Sequence, residues 1–245
     1  MCGRYTLFTP TDDLEARFGA DFGDREPSYN CAPGQSLPVI ADEEPTEATR
    51  MEWGLTPSWA DESFDLINAR GETVREKRSF ADAFERRRCL VPADGFYEWV
   101  GGERGSGKTP YRVAFEDDRP FAMAGIYERW EPPTPETTQT GLGAFGGGSG
   151  GEDRDGGADD QDVIETFAIV TTEPNDLVAD LHHRMAVILD PDAGEEETWL
   201  RGDADEAAGL LDPYPSDDLA AHPVSTRVNS PSVDAPDLIE PVAGD

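Results

Sequence analysis

Strand-like runs outnumber helix-like runs in this chain and do not alternate with them, and that order restricts the fold more than any other feature. Runs rich in β-branched, aromatic or aliphatic residues occupy Gly3 to Phe8, Leu37 to Ala41, Ala48 to Trp53, Cys89 to Val91, Gly95 to Val100, Tyr111 to Phe115, Pro120 to Tyr127, Glu165 to Thr171 and Met185 to Leu189. Helical patterns are fewer: Thr11 to Phe18, Ser79 to Arg87 with Ser79 as N-cap, Asn175 to Leu181, and Ala193 to Leu211 broken near Gly202. A parallel sheet needs a crossover between successive strands, so this order points to an α+β fold. The expected architecture is a largely antiparallel, barrel-like sheet with short flanking helices.

The clearest interruption runs from residue 131 to residue 163. It opens Glu131-Pro132-Pro133-Thr134-Pro135 and carries nine glycines and five acids between Gly141 and Asp160. Such a segment buries too little apolar surface to offset the entropy of ordering it. Strand-like runs flank it on both sides, so one domain over residues 1–245 with a flexible acidic insertion between neighbouring strands is expected.

The chain of 245 residues holds 52 Asp plus Glu against 20 Lys plus Arg, a formal net charge of −32. With 37% apolar residues and five Trp it is not a disordered acidic protein, which would lack large apolar side chains. The charge is uneven: residues 1–130 carry 25 acids and 16 bases, and residues 131–245 carry 27 and 4. Arg70, Arg75, Lys77, Arg78, Arg86, Arg87 and Arg88 reverse the sign locally. So negative a total ordinarily argues against nucleic-acid partners, because phosphate contacts dominate that affinity. At 1 M salt, however, the screening length falls to about 3 Å and distant acids hardly repel a polyanion. The acid excess reads as halophilic adaptation and leaves the ligand open. Arg86, Arg87 and Arg88 read as a solvated helix end that complements the helix dipole.

No run of about eighteen apolar residues occurs, and Met1-Cys2-Gly3-Arg4-Tyr5 lacks the basic-then-apolar layout of a secretion signal. No membrane association and a cytoplasmic location are expected. The three cysteines, Cys2, Cys31 and Cys89, include no C-x-x-C, and His182, His183 and His222 supply no H-x-x-x-H. Neither a disulfide framework nor a zinc site follows, and no metal or cofactor is expected. Cys31 and Cys89 read as small buried hydrophobes, and Trp53 as a core residue.

Cys2 differs because of its place. Removal of the initiator Met leaves a leading cysteine with a free α-amine and a thiol side by side. With ordinary pKa values of about 7.7 to 8 and about 8.5, both nucleophiles are partly deprotonated near neutrality. The amine of such a pair forms a Schiff base with an aldehyde, and the neighbouring sulfur then closes a five-membered thiazolidine by intramolecular attack.

The opening Met1-Cys2-Gly3-Arg4-Tyr5 is followed in order by Tyr29-Asn30-Cys31-Ala32-Pro33-Gly34, Glu52-Trp53-Gly54-Leu55-Thr56-Pro57-Ser58-Trp59, Ile67-Asn68-Ala69-Arg70-Gly71-Glu72, Cys89-Leu90-Val91-Pro92-Ala93-Asp94-Gly95-Phe96-Tyr97-Glu98-Trp99, Leu181-His182-His183-Arg184-Met185 and His222-Pro223-Val224-Ser225. Each block is weak alone. The ordered set resembles the SRAP family, the SOS-response-associated, abasic-site-processing proteins, over nearly the whole chain.

The resemblance implies a monomeric sensor of abasic sites in single-stranded DNA that joins them covalently through Cys2 and protects them from strand cleavage. It also implies self-processing that exposes Cys2, the origin of the peptidase label, and lyase chemistry through the Schiff base. It carries over Cys2 as the crosslinking residue, Asn68 as a group positioning the sugar or the N-terminus, and Glu98 and His182 as acid-base groups. Arg4, Asn30, Arg70, Arg78 and Arg184 become candidate DNA-backbone contacts, and Trp59 and Trp99 candidates for stacking on bases or wedging the strand open. Two departures stand out: Ala60 occupies a position where a second Trp often follows the one matched by Trp59, and Ala186 follows His182-His183-Arg184-Met185 where Pro is common. Two other functions compete. A peptidase or amidohydrolase with Cys2 as N-terminal nucleophile and His182 as base would act on an amide without DNA. A non-covalent single-strand binder would keep all function in Cys2→Ala.

Overall fold

A computed structural model of the chain describes residues 2–101, 107–133 and 163–242. The strands are β1 Tyr5–Leu7, β2 Ser28–Cys31, β3 Ser36–Ala41, β4 Ala48–Trp53, β5 Asn68–Arg70, β6 Arg88–Ala93, β7 Gly95–Val100, β8 Thr109–Phe115, β9 Phe121–Trp130, β10 Ile164–Thr172, β11 Met185–Ala186, β12 Ile188–Leu189 and β13 Leu219–Pro223. The helices are α1 Thr11–Phe18, α2 Ala81–Arg86, α3 Asp176–Ala179, α4 Glu195–Arg201 and α5 Ala204–Ala208. Met1 and nearly all of the 131–163 insertion lie outside the described residues.

Strands β10, β4, β3, β6 and β9 pair in a ring that closes when β9 returns to β10. Only the β10–β4 pairing within this ring is parallel. Closure removes the exposed edges that an open sheet of the same strands would leave. β4 runs beside β10 only at Glu52 and Trp53, and β5 continues parallel to β10 further on, with Asn68 opposite Ile169. Gly54 makes that exchange possible: its φ of 152° suits glycine, and a Cβ there would stand 3.4 Å from the Asp65 backbone. Trp53, Phe84, Tyr127, Phe167 and Trp199 are buried in the main core, as are Cys31 and Cys89.

A second sheet, ordered β13-β8-β7-β1-β2, is antiparallel throughout. The chain passes into it from the barrel at Asp94, between β6 and β7. The buried Asp94 carboxylate accepts the backbone N–H groups of Phe8 and Thr9 at 2.6 and 2.8 Å, and so holds the end of β1 beside the start of β7.

The expected α+β architecture is the one observed, with local differences. α2 starts at Ala81 without a side-chain cap, rather than at Ser79, because the buried Phe80 ring anchors the turn in which Phe80 and Ala81 N–H both bond Lys77 O. The break near Gly202 separates α4 from α5, whose capping box pairs Asp203 with Glu206. Met185 to Leu189 forms two short strands, because β11 pairs with β10 and β12 with β9. Arg88 is not part of a solvated helix end. It is buried on β6 and donates to the carbonyls of Phe84, Trp199 and Gly202, while Arg87 pairs with Asp82 and Glu128. No helix among the described residues is long and apolar enough to cross a membrane.

Candidate active site

The pairing of β1 with β7 carries the beginning of the chain to the site. Tyr5 lies opposite Phe96, and the Tyr97 N–H bonds the Arg4 carbonyl at 3.0 Å, so the residues ahead of β1 run beside the end of β7. Cys2 is fully buried there, with its thiol directed at the Arg4 carbonyl at 3.9 Å. From the barrel side, Asn68 at the head of β5 donates through Nδ2 to the Cys2 carbonyl at 3.0 Å. Asn68 Oδ1 is buried and has no hydrogen-bond partner among the described residues.

Glu98 is 2% exposed on β7. Strand alternation sends Trp99 to the opposite face, where it packs with Tyr97, Val224, Val228 and Leu238. His182 lies on the turn that leaves α3, its N–H bonded to Val178 O at 2.8 Å. That helix is started by Asn175, whose side chain accepts the Val178 N–H at 2.9 Å. The turn places His182 Nδ1 3.8 Å from Glu98 Oε2 and 3.2 Å from the Arg184 carbonyl. Cys2, Asn68, Glu98 and His182, far apart in sequence, therefore converge where the barrel meets the second sheet.

Burial sets the proton affinities. It raises Glu98 to about 7, opposed by the positive chain terminus and by Lys108. Burial pushes the Cys2 thiol far above its ordinary value, and the negative charge of Glu98 adds to that rise. Burial also lowers His182 below its ordinary value. Near neutral pH the site thus holds a thiol that keeps its proton, a carboxyl close to half-protonation and an imidazole whose neutral form is favoured. Such groups can exchange protons with a reacting carbonyl. No group of three or more His, Cys, Asp or Glu among the described residues could hold a metal ion.

The residues expected to contact DNA fall into two sets. Arg70 is exposed and shares a strand face with Asn68, two positions away. Arg4 is half-buried, with Nη1 bonded to Gly3 O at 2.6 Å. Trp59 is 41% exposed, meets Phe64 edge-on at 5.5 Å and carries the Arg78 guanidinium 4.0 Å from its ring centroid. Ala60, where a second Trp was expected, is buried and accepts the Trp130 indole N–H at 2.7 Å.

The second set is committed to internal bonds. Asn30 is fully buried, and its Nδ2 donates to the Val228, Ser230 and Val233 carbonyls. Trp99 donates its indole N–H to Asn229 Oδ1 at 2.7 Å. Arg184 is buried, forms a two-pronged pair with Glu72 and bonds Thr171 O at 2.6 Å. Asn30 Nδ2, the Trp99 indole N–H and both Nη atoms of Arg184 thus have protein partners, whereas Asn30 Oδ1 and Arg184 Nε are buried without one among the described residues. The sequence reading did not anticipate Asn229, Glu72 as the Arg184 partner, or the Asp94 clamp; their roles depend on long-range contacts that no local pattern signals.

The family model described as SOS response associated peptidase (SRAP) matches residues 1–231. Among curated relatives, abasic site processing protein YoqW of Bacillus subtilis is 38% identical, the match covering 98% of this chain and 99% of that protein. Abasic site processing protein HMCES of Gallus gallus is 34% identical, covering 90% of this chain and 68% of that protein. A crystal structure of a Bacteroides thetaiotaomicron protein superposes with a TM-score of 0.78 at 26% identity, covering 99% of this chain and all of that one. A barrel of this topology, the four converging side chains and a family match over most of the chain agree: the chain belongs to the SRAP family.

Proposed function

We propose that this protein processes abasic sites in single-stranded DNA by forming a covalent thiazolidine with the opened sugar through Cys2, once Met1 has been removed. The observation that carries the reading is the convergence of Asn68 on the Cys2 backbone with the Glu98–His182 pair beside it. The curated relatives named abasic site processing proteins support the substrate class.

The reaction balances with these residues. The Cys2 α-amine adds to C1′ of the aldehyde, giving a carbinolamine whose hydroxyl leaves as water after Glu98 donates a proton. The thiol then adds to the carbon of the protonated imine, forming the C–S bond, and its proton goes to the Glu98 carboxylate, directly or by way of His182, restoring the acid. Amine plus aldehyde thus yield thiazolidine plus one water. A buried thiol is a poor nucleophile until its proton is accepted, so the reading needs a base within reach, and Glu98 at about 7 meets that need. Removal of Met1 creates the Cys2 α-amine that the reaction needs. Asn68, already bonded to the Cys2 carbonyl, orients the amine. Arg4, Arg70 and Arg78 hold the backbone while Trp59 stacks on a base.

The test is a denaturing gel of matured protein incubated in concentrated KCl with single-stranded DNA bearing one abasic site. A retarded band that disappears in Cys2→Ala, and on blocking the α-amine, supports the reading. No band with correctly matured protein rejects it.

A further inference from the structure

His183 follows His182 on the same turn, and the two imidazole rings stand 4.2 Å apart between centroids, inclined by 37°. His182 is partly buried, whereas His183 is exposed. The groups that face His182 include Glu98 from β7, the Arg184 backbone on its own turn and, at longer range, the Lys108 charge. His183 adds a second titratable ring in contact with it.

We infer that His183 is a positioning residue acting through His182, its ring fixing the imidazole plane and any positive charge on it opposing a second one on that imidazole. The reaction it serves rests on the function proposed above, but the coupling between the rings does not.

A positive charge on His183 opposes a second one on His182. Two charges about 4 Å apart in water shift a titration by about 0.7 pH unit, and screening at 1 M salt reduces this several-fold. The direction agrees with the lowering of His182, where burial is the larger cause and His183 adds to it. Glu98 pulls the other way, since its ionised form would favour protonated His182. His183 thus disfavours an imidazolium–carboxylate pair and leaves His182 as a second base beside the Glu98 carboxylate.

The chain has three histidines, so their ring protons can be followed individually by NMR across a pH titration. In His183→Phe, which keeps a ring without charge, the His182 midpoint should rise by about 0.5 unit at low salt, and by clearly less in 1 M KCl. In His183→Lys, which keeps charge without a ring, the midpoint should stay at or below that of the parent. The acidic limb of the adduct-formation rate should move with the midpoint in each variant. A His182 midpoint unmoved within about 0.1 unit in His183→Phe overturns the inference. So does an unmoved rate limb with weakened DNA binding by fluorescence anisotropy, which makes His183 a phosphate contact instead. If the parent protein forms no adduct at all, the proposed function fails, while the NMR titration still decides the coupling.

Discussion

Asn68 Nδ2 donates to the carbonyl oxygen of Cys2 at 3.0 Å, tying strand β5 beside the barrel to the segment that leads into the second sheet. The bond reaches the one peptide group whose position decides where a leading amine would point. Asn68→Ala should slow adduct formation by about 10- to 100-fold through misplacement of the amine. It should cost only about 1 kcal/mol of stability, one hydrogen bond at the margin of the core. Single-turnover gel kinetics beside urea unfolding separate the two effects.

Glu98 links reactivity to stability. Its pKa rises in the fold to about 7 from 4.5, so between those values the folded state binds more protons than the unfolded one. Stability therefore falls as pH rises through that window and is lowest, on this account, above about pH 7. Glu98→Gln should remove this slope and be more stable than the parent at pH 8 by about 1 to 3 kcal/mol, with little gain at pH 4. The same variant should slow adduct formation by about 100-fold or more, because an amide neither gives nor accepts the proton. Urea midpoints at the two pH values, with adduct rates alongside, check both statements.

Arg184 and Arg70 should respond in opposite ways. The Arg184 side chain is 8% exposed and paired with Glu72, whereas Arg70 is exposed on the strand face of Asn68. Arg184→Lys cannot keep the two-pronged geometry and should lower stability by about 1 to 3 kcal/mol. Arg70→Ala should leave the thermal midpoint nearly unchanged and reduce the slope of log affinity against log salt by about one. Thermal melts and anisotropy titrations at several KCl concentrations distinguish them.

Trp59 and Phe64, in edge-to-face contact, form the exposed aromatic surface of the loop between β4 and β5. Trp59→Ala should weaken single-strand binding by about 1 to 3 kcal/mol, with a loss that persists in high salt because stacking depends little on it. Stability should hardly change. The same titrations with an undamaged oligonucleotide are the check.

Much of this fold was open to inspection in the sequence, for reasons that differ by element. β4 and β7 were delimited correctly because aromatic and β-branched runs end at Gly54, whose positive φ suits glycine, and begin at Gly95, where a Cβ would crowd Arg112. β5 was not seen as a strand. Its three residues, Asn68-Ala69-Arg70, carry no strand preference and are extended only because β10 supplies their partners. β13 follows the same logic against β8. The candidate site was named by ordered motifs, yet its geometry was not legible: alternation along β7 left the face of Glu98 undecided, and the structure buries it. Trp99, Asn30 and Arg184 read as DNA contacts because sequence cannot show that Asn229, the 228–233 carbonyls and Glu72 bond them within the fold.

The most direct test of the account is the intact mass of the product formed with a single-stranded oligonucleotide carrying one abasic site. The predicted mass is that of the oligonucleotide plus the chain lacking Met1, less one water, and the product should resist heating without borohydride while Cys2→Ser yields at most an adduct that borohydride must trap. A product that retains Met1, or one formed equally stably by Cys2→Ser, would contradict the claim that the amine and thiol of Cys2 together close on the sugar.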